Sequence, residues 1–226
     1  MNSLEQARFN MIEQQIRPWD VLDPDVLELL AEVRREDFVP PAHRALAFVD
    51  MEIPLASPAE QALASGRCML APKVEARLLQ DVNPQRHDKV LEVGAGSGYM
   101  AALLAGRAQR VITLEIDPQL AAMARTNLQR AGITQVDVRE ADGSRGLAAE
   151  GPFDVILLSG SVAEVPQALL LQLKVGGRLG AIVGSEPVMR ATLITRTGET
   201  TYTTVQRWDT VAPRLLNFPE PSRFHF

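Results

Sequence analysis

Apolar positions along the chain change rhythm near residue 89, and the change divides the sequence into two parts. Before it the spacing is helical. Leu4, Phe9, Met11, Ile12 and Ile16 fall partly on one face of a helix predicted over Leu4 to Ile16, which Pro18 ends. Asp23-Pro24 predicts a second start, with Asp as N-cap and Pro at the first helical position; Val26, Leu27, Leu29, Leu30 and Val33 form its buried face. Phe38-Val39-Pro40-Pro41 stops the next piece, and Ala45 to Ile53 leads toward an extended segment. Residues 56–68 are small and polar at Ser57, Pro58, Ser65 and Gly66, a loop pattern, before Pro72 opens a helix through Val74, Ala76, Leu78 and Leu79. No strand alternation occurs in this part, so it reads as helices and loops packed over the second part.

From residue 89, short apolar runs alternate with helical patterns. Val90, Leu91 and Val93 make a strand, broken by Gly94, Gly96 and Gly98, and Tyr99 to Ala105 are strong helix formers. Arg110 to Ile116, Val136 to Glu140 and Phe153 to Leu158 supply three more strands, and Pro118 starts the helix after the second. A helix is predicted near Pro166 to Leu173, then a turn and fifth strand over Lys174 to Gly184. Ala191 to Arg196 and Thr200 to Thr210 alternate as an antiparallel hairpin at a sheet edge. The tail, with Pro213, Pro219, Pro221, Phe224 and Phe226, is irregular, and its aromatics predict that it packs down. The fold class is α/β: a mostly parallel sheet with helices on both faces and a C-terminal antiparallel hairpin. Residues 1–85 form a helical and loop cover and 86–226 the core, expected to make one domain over 1–226.

Composition narrows the function classes. Hydrophobic content of 46% and charged content of 23% suit a globular chain with a sizeable core. A net charge of -5 without a local Lys/Arg cluster speaks against a nucleic-acid partner. The single cysteine, Cys68, excludes an internal disulfide framework and a cysteine-rich metal site, and no metal is expected. Met1 to Asn10 is polar, without the apolar stretch of a secretory signal, and no apolar run approaches bilayer-spanning length. A soluble cytoplasmic protein without a membrane partner is expected.

Ligands in such sheets bind beyond the carboxyl ends of the strands, where Gly94, Glu115, Asp142 and Ser159 all fall. A dinucleotide site wants G-x-G-x-x-G, but here the third glycine comes early, at Gly98, and Tyr99 stands where the dehydrogenase glycine belongs. Glu92 precedes the first glycine by two positions. E-x-G-x-G-x-G after a buried strand resembles the cofactor loop of class I S-adenosyl-L-methionine methyltransferases, a Rossmann-like fold, whose cofactor leaves as S-adenosyl-L-homocysteine. The resemblance makes Glu92, Gly94, Ala95, Gly96, Ser97, Gly98 and Tyr99 the cofactor loop. Glu115, with Ile116 beside it and about 20 residues past the glycine turn, is placed to accept the ribose hydroxyls. Asp142, with Gly143, accepts the adenine amino group in such a site, and Ser159 closes the fourth strand.

Over almost its whole length the chain is similar to protein-L-isoaspartate O-methyltransferases. The likeness rests on Met11-Ile-Glu-Gln-Gln-Ile-Arg17, Val26-Leu27, Arg35-Glu-Asp-Phe-Val-Pro40 and Ala47-Phe-Val-Asp50, then on Val90 through Tyr99. Asp142-Gly143, Val165-Pro166 through Gln172-Leu173, Gly176-Gly177-Arg-Leu and Val183-Gly184 continue it. It implies a carboxyl methyltransferase that repairs isoaspartyl or D-aspartyl sites in damaged proteins or peptides. The departure is the segment Gly-Gln-Thr-Ile-Ser-Gln-Pro, whose hydroxyls meet the substrate carboxyl in that family. Here it reads Gly66-Arg-Cys-Met-Leu-Ala-Pro72, with Cys68 at the Thr position and Leu70 at the Ser position. Leu70 cannot take over that contact, so a family member re-targeted to another acceptor, or one that binds cofactor without turnover, is the alternative. Arg67 and Lys73 are the candidate donors to an anionic acceptor, with Cys68 between them as a small residue rather than a nucleophile. A carboxylate acceptor is ionised near pH 7 and needs no general base, so His43, His87 and His225 are expected to be structural or at the surface.

Overall fold

A computed structural model describes residues 3–220. Its first helix, α1 (Ser3–Met11), widens into a π-helical turn over Ile12–Ile16. That i→i+5 winding lines up Met11 and Ile16, five positions apart, and neither has any exposed surface. Phe9, assigned to the buried face by spacing, is half exposed. In α2 (Pro24–Glu32) the Asp23 carboxylate accepts from the Asp25 and Val26 backbone N–H groups, the cap that Asp-Pro predicts. Two findings correct the expectation of loop without strand. Residues 56–68 contain α3 (Ala59–Ala64), because Ala-Glu-Gln-Ala-Leu-Ala favours helix once Pro58 starts it and Gly66, at φ +73°, ends it. Around it, β1 (Ile53–Pro54) pairs antiparallel with β2 (Cys68–Met69), a ladder too short to show alternation. The helix α4 (Pro72–Val82) then leads into the sheet.

The sheet is built from β3 (Lys89–Val93), β4 (Arg110–Glu115), β5 (Val136–Glu140), β6 (Phe153–Val162), β7 (Leu173–Ser185), β8 (Val188–Arg196) and β9 (Tyr202–Thr210), in the order β5-β4-β3-β6-β7-β8-β9. Helices α5 (Tyr99–Ala105), α6 (Pro118–Arg130) and α7 (Gln167–Leu170) connect its parallel strands. β3 to β7 run parallel, and β8 and β9 close the edge antiparallel. Side chains alternate between two cores: Val90, Val111, Val155 and Leu157 pack with α1, α2, α4 and α5, while Leu91, Ile112, Ile156 and Leu158 pack on the other face with Leu169 and Phe218.

Several boundaries differ from expectation. β6 continues to Val162, α7 stops at Leu170 because β7 already starts at Leu173, and β7 to β9 form a three-stranded meander. Pro221, Phe224, His225 and Phe226 lie outside the described residues, and Phe218 is buried. Among the described residues no helix is long and apolar enough to cross a membrane. The chain leaves β3 toward β4 and β5 and returns on its other side at β6. That reversal opens a crevice at the carboxyl ends of β3 and β6.

Candidate active site

The crevice is a cleft of about 1070 Å³ lined by Gly94, Gly96, Glu115, Ile116, Asp142, Gly143 and Ser159, with Glu52, Arg67 and Cys68 on one wall and residues 211–216 on the other. Its floor is the turn after β3. Gly94 sits at φ +94° and Gly98 at φ +86°, where a side chain is strained. A Cβ at Gly94 would come within 3.0 Å of the Leu215 side chain, and one at Gly98 within 3.2 Å of the Ala124 backbone on α6. Glycine keeps the turn tight, lets Leu215 approach the cleft floor at Gly94, and lets α6 approach the turn at Gly98. Ala95, Ser97 and Tyr99 do not line the main cleft; they border a small cavity of about 20 Å³ that shares Gly94, Gly96, Cys68 and Ser159 with it.

Glu115 ends β4 and is almost fully buried. Its Oε2 accepts the Gly96 N–H at 2.8 Å and its Oε1 the Asp117 N–H at 3.0 Å, so the carboxylate ties the glycine turn to the start of α6. Asp117 caps α6 through Oδ1 and binds Arg67 Nη2 through Oδ2 at 2.7 Å. Asp142 Oδ1 accepts the Ser144 N–H at 2.9 Å and Oδ2 the Asn217 amide at 2.8 Å. Partial burial disfavours its charge, but these bonds and Arg145 outweigh that and hold the Asp142 carboxyl below the ordinary range.

Glu92 does not reach the cleft wall. Fully buried, it accepts hydroxyl bonds from Thr113 and Ser159 at 2.7 Å each, so it orients Ser159 from behind. Burial pushes the Glu92 carboxyl up to about 7 against the pull of the two hydroxyls. A folded value above the unfolded one of 4.5 gives stability that is complete below pH 4.5 and lost as pH rises through about 7. Wild-type protein is therefore expected to lose on the order of 3 kcal/mol from this group between pH 5 and pH 8. Glu92→Gln removes that share, and urea unfolding at the two pH values measures it.

On the wall it shares with Glu52 and Arg67, Cys68 is part-buried, and burial with the negative charges of Glu52 and Glu75 pushes its thiol up to about 12. It stays protonated, which fits a packing residue and not a nucleophile. Arg67 lines the cleft and is engaged by Asp117. Lys73, paired with it as a candidate donor, lies outside the cleft lining. Its ammonium binds Asp50 at 2.7 Å and rests 4.0 Å over the Trp19 ring.

Three contributions were not found from sequence. Arg35, fully buried, pairs with Glu75, donates to the Leu70 carbonyl at 2.7 Å and lies 4.9 Å over the Tyr99 ring. The second is Glu52, and the third is the tail. Leu215 N–H donates to the Ser161 carbonyl, Ser161 N–H to the Pro213 carbonyl, and Asn217 to Asp142, so residues 213–217 strap the carboxyl end of β6. Dense apolar residues without a period, as in Arg214-Leu-Leu-Asn-Phe218, were the available signal. His87 is exposed beside Asp88, and neither it nor His43 lines the cleft.

Comparison with known proteins identifies the family. The family model described as protein-L-isoaspartate(D-aspartate) O-methyltransferase matches residues 6–211. A Rhodopseudomonas palustris protein-L-isoaspartate O-methyltransferase is 42% identical over 190 residues, covering 84% of each chain. The Koribacter versatilis protein of the same name is 40% identical over 194 residues, 86% of this chain and 82% of that one. A Plasmodium falciparum structure described as a protein-L-isoaspartate O-methyltransferase in complex with S-adenosyl-L-homocysteine aligns with a TM-score of 0.76. It covers 95% of this chain and 99% of that one at 19% identity, a likeness of fold. This chain belongs to the protein-L-isoaspartate(D-aspartate) O-methyltransferase family.

Proposed function

We propose that this chain methylates the free carboxylate of isoaspartyl or D-aspartyl residues in damaged proteins or peptides, using S-adenosyl-L-methionine. The observation that carries the reading is the alignment, in one cleft, of a glycine floor that a Cβ would fill, Glu115 at the end of β4 and Asp142 after β5. The cradle fits an adenosyl amino acid. Glu115 keeps a lone pair on each oxygen for the ribose hydroxyls, Asp142 and the apolar edge of Ile116 suit the adenine, and the turn from Gly94 to Gly98 takes the amino-acid end.

When bound, the cofactor supplies an electrophilic methyl group on a sulfonium. The protein aligns the acceptor with it and excludes water; effective alignment is worth roughly 7–11 kcal/mol when near-attack geometry is held. The acceptor carboxylate is already ionised, with a reference pKa near 4, so no side chain has to remove a proton. Leu215 and the rest of the strap cover the floor, and Arg67, paired with Asp117, borders the acceptor rim. The cover at 1–85 and the core at 86–226 work as one catalytic unit, because Arg35, Glu75 and Tyr99 join them at a buried cluster.

The test is methyl transfer from radiolabelled cofactor to a peptide with one isoaspartyl residue, against the same peptide with normal Asp. Base-labile label is expected in the isoaspartyl peptide alone. No label, with S-adenosyl-L-homocysteine still binding by calorimetry, would leave a cofactor-binding chain aimed at a different acceptor.

A further inference from the structure

The acceptor wall lacks a free donor for an anion. Cys68 offers only a weak thiol hydrogen and Leu70 offers none. Arg67 is held by Asp117 across the cleft, and Lys73 by Asp50 outside it. Glu52 lines the cleft at this point, and among the described residues no Lys or Arg lies within ion-pair distance of it. The β1–β2 register pairs Ile53 with Met69 and Pro54 with Cys68. Carried one residue further, it sets Glu52 opposite Leu70 and diagonal to Cys68, at cross-strand contact distance. The Cys68 carbonyl lies 3.8 Å from where a Gly96 Cβ would stand, so this ladder abuts the cofactor floor.

We propose that Glu52, in its protonated form, donates a hydrogen bond to the acceptor carboxylate and so makes acceptor binding depend on pH. This rests on the reaction proposed above. An ionised Glu52 would face the acceptor as a like charge in a partly desolvated cleft, whereas a carboxyl–carboxylate pair shares one proton. Burial already holds the Glu52 carboxyl above its ordinary range, with the Cys68 thiol pulling it back. The surrounding charges do not cancel it: Glu75 stands behind Cys68 and is paired with Arg35, Asp117 with Arg67, and Asp50 with Lys73.

The experiment measures KM and kcat for an isoaspartyl peptide from pH 5.5 to 8.5 in wild type, Glu52→Gln, Glu52→Ala and Cys68→Thr, with S-adenosyl-L-homocysteine affinity by calorimetry confirming each fold. Wild-type KM is expected to climb about tenfold per unit once Glu52 ionises, with kcat nearly constant. Glu52→Gln keeps a donor and flattens the climb, giving a KM at least about tenfold below wild type at pH 8.5. Glu52→Ala is flat but high at every pH, and Cys68→Thr, which adds a hydroxyl beside Glu52, blunts the wild-type slope. Parallel pH profiles in wild type and Glu52→Gln overturn this proposal alone. Absence of transfer by wild type at every pH overturns the proposed reaction and this inference together.

Discussion

Replacing Glu115 with Ala is expected to raise the dissociation constant for S-adenosyl-L-homocysteine by roughly a hundredfold to a thousandfold. One carboxylate does two jobs at this position. It receives the Gly96 and Asp117 N–H groups, fixing the glycine turn against the start of α6, and it faces the cleft where the ribose is proposed to lie. Hydrogen bonds to a charged group contribute about 1.5–3 kcal/mol each, and two ribose contacts at the lower end of that range, about 3–4 kcal/mol together, convert to that loss of affinity. The two backbone donors then open onto the cleft and can be met by water, so the fold loses less than the ligand does. Isothermal calorimetry reads the affinity, and thermal unfolding without ligand reads the fold. Glu115→Gln separates the jobs further. It keeps one acceptor oxygen but turns an NH₂ toward a backbone N–H, and an intermediate loss of about tenfold is expected. An Ala variant that binds within threefold of wild type would place the ribose elsewhere.

Glu115 was legible from sequence because local rules point at it. A run of apolar residues ends, an acidic residue follows, and Asp117-Pro118 announces the next helix, so the carboxylate has to stand at the carboxyl rim of the sheet. The same holds for Asp142 and for the glycines, whose positive φ is demanded by the turn itself. Lys73 shows the limit of such reasoning. It lies in the expected loop region, but Pro72 begins α4 one residue before it, and that helix carries its side chain to Asp50 and Trp19 instead. The strap was not legible because its position depends on contacts across long separations. Asn217 meets Asp142 from 75 residues away, and no period in the tail encodes that. Glu52 owes its place to a two-residue ladder around α3, and two residues are too few to show alternation. Arg35-Glu-Asp looks like a solvated charge run, yet Arg35 and Glu36 are both buried, because Glu75 and Arg8 come from other helices to meet them.

Arg35 is where the second large effect is expected: Arg35→Met should lower stability by about 3–5 kcal/mol, the usual cost of stripping one partner from a buried ion pair. For a chain of this size that lowers Tm by roughly 2–4 °C per kcal/mol. The loss arises because Glu75, fully enclosed, is left without its guanidinium, and the Ala47 and Leu70 carbonyls lose their donor. Burial pushes the Glu75 carboxyl above the ordinary range, and Arg35 pulls it back. Removing Arg35 therefore raises it further, and the variant folds with Glu75 protonated. A folded value raised above the unfolded one gives stability that is retained at low pH and lost as pH rises, so the deficit of Arg35→Met should shrink at pH 5 and widen at pH 8. The double variant Arg35→Met with Glu75→Leu discards both charges and should recover most of the stability, since an apolar replacement of a buried pair is often neutral or better. It does not restore the donor to the Leu70 carbonyl, two residues from Cys68 on the wall proposed to meet the acceptor. The double variant should therefore melt near wild type yet show a raised KM for the isoaspartyl peptide, with S-adenosyl-L-homocysteine affinity little changed. If stability and KM returned together, Arg35 would serve the fold alone.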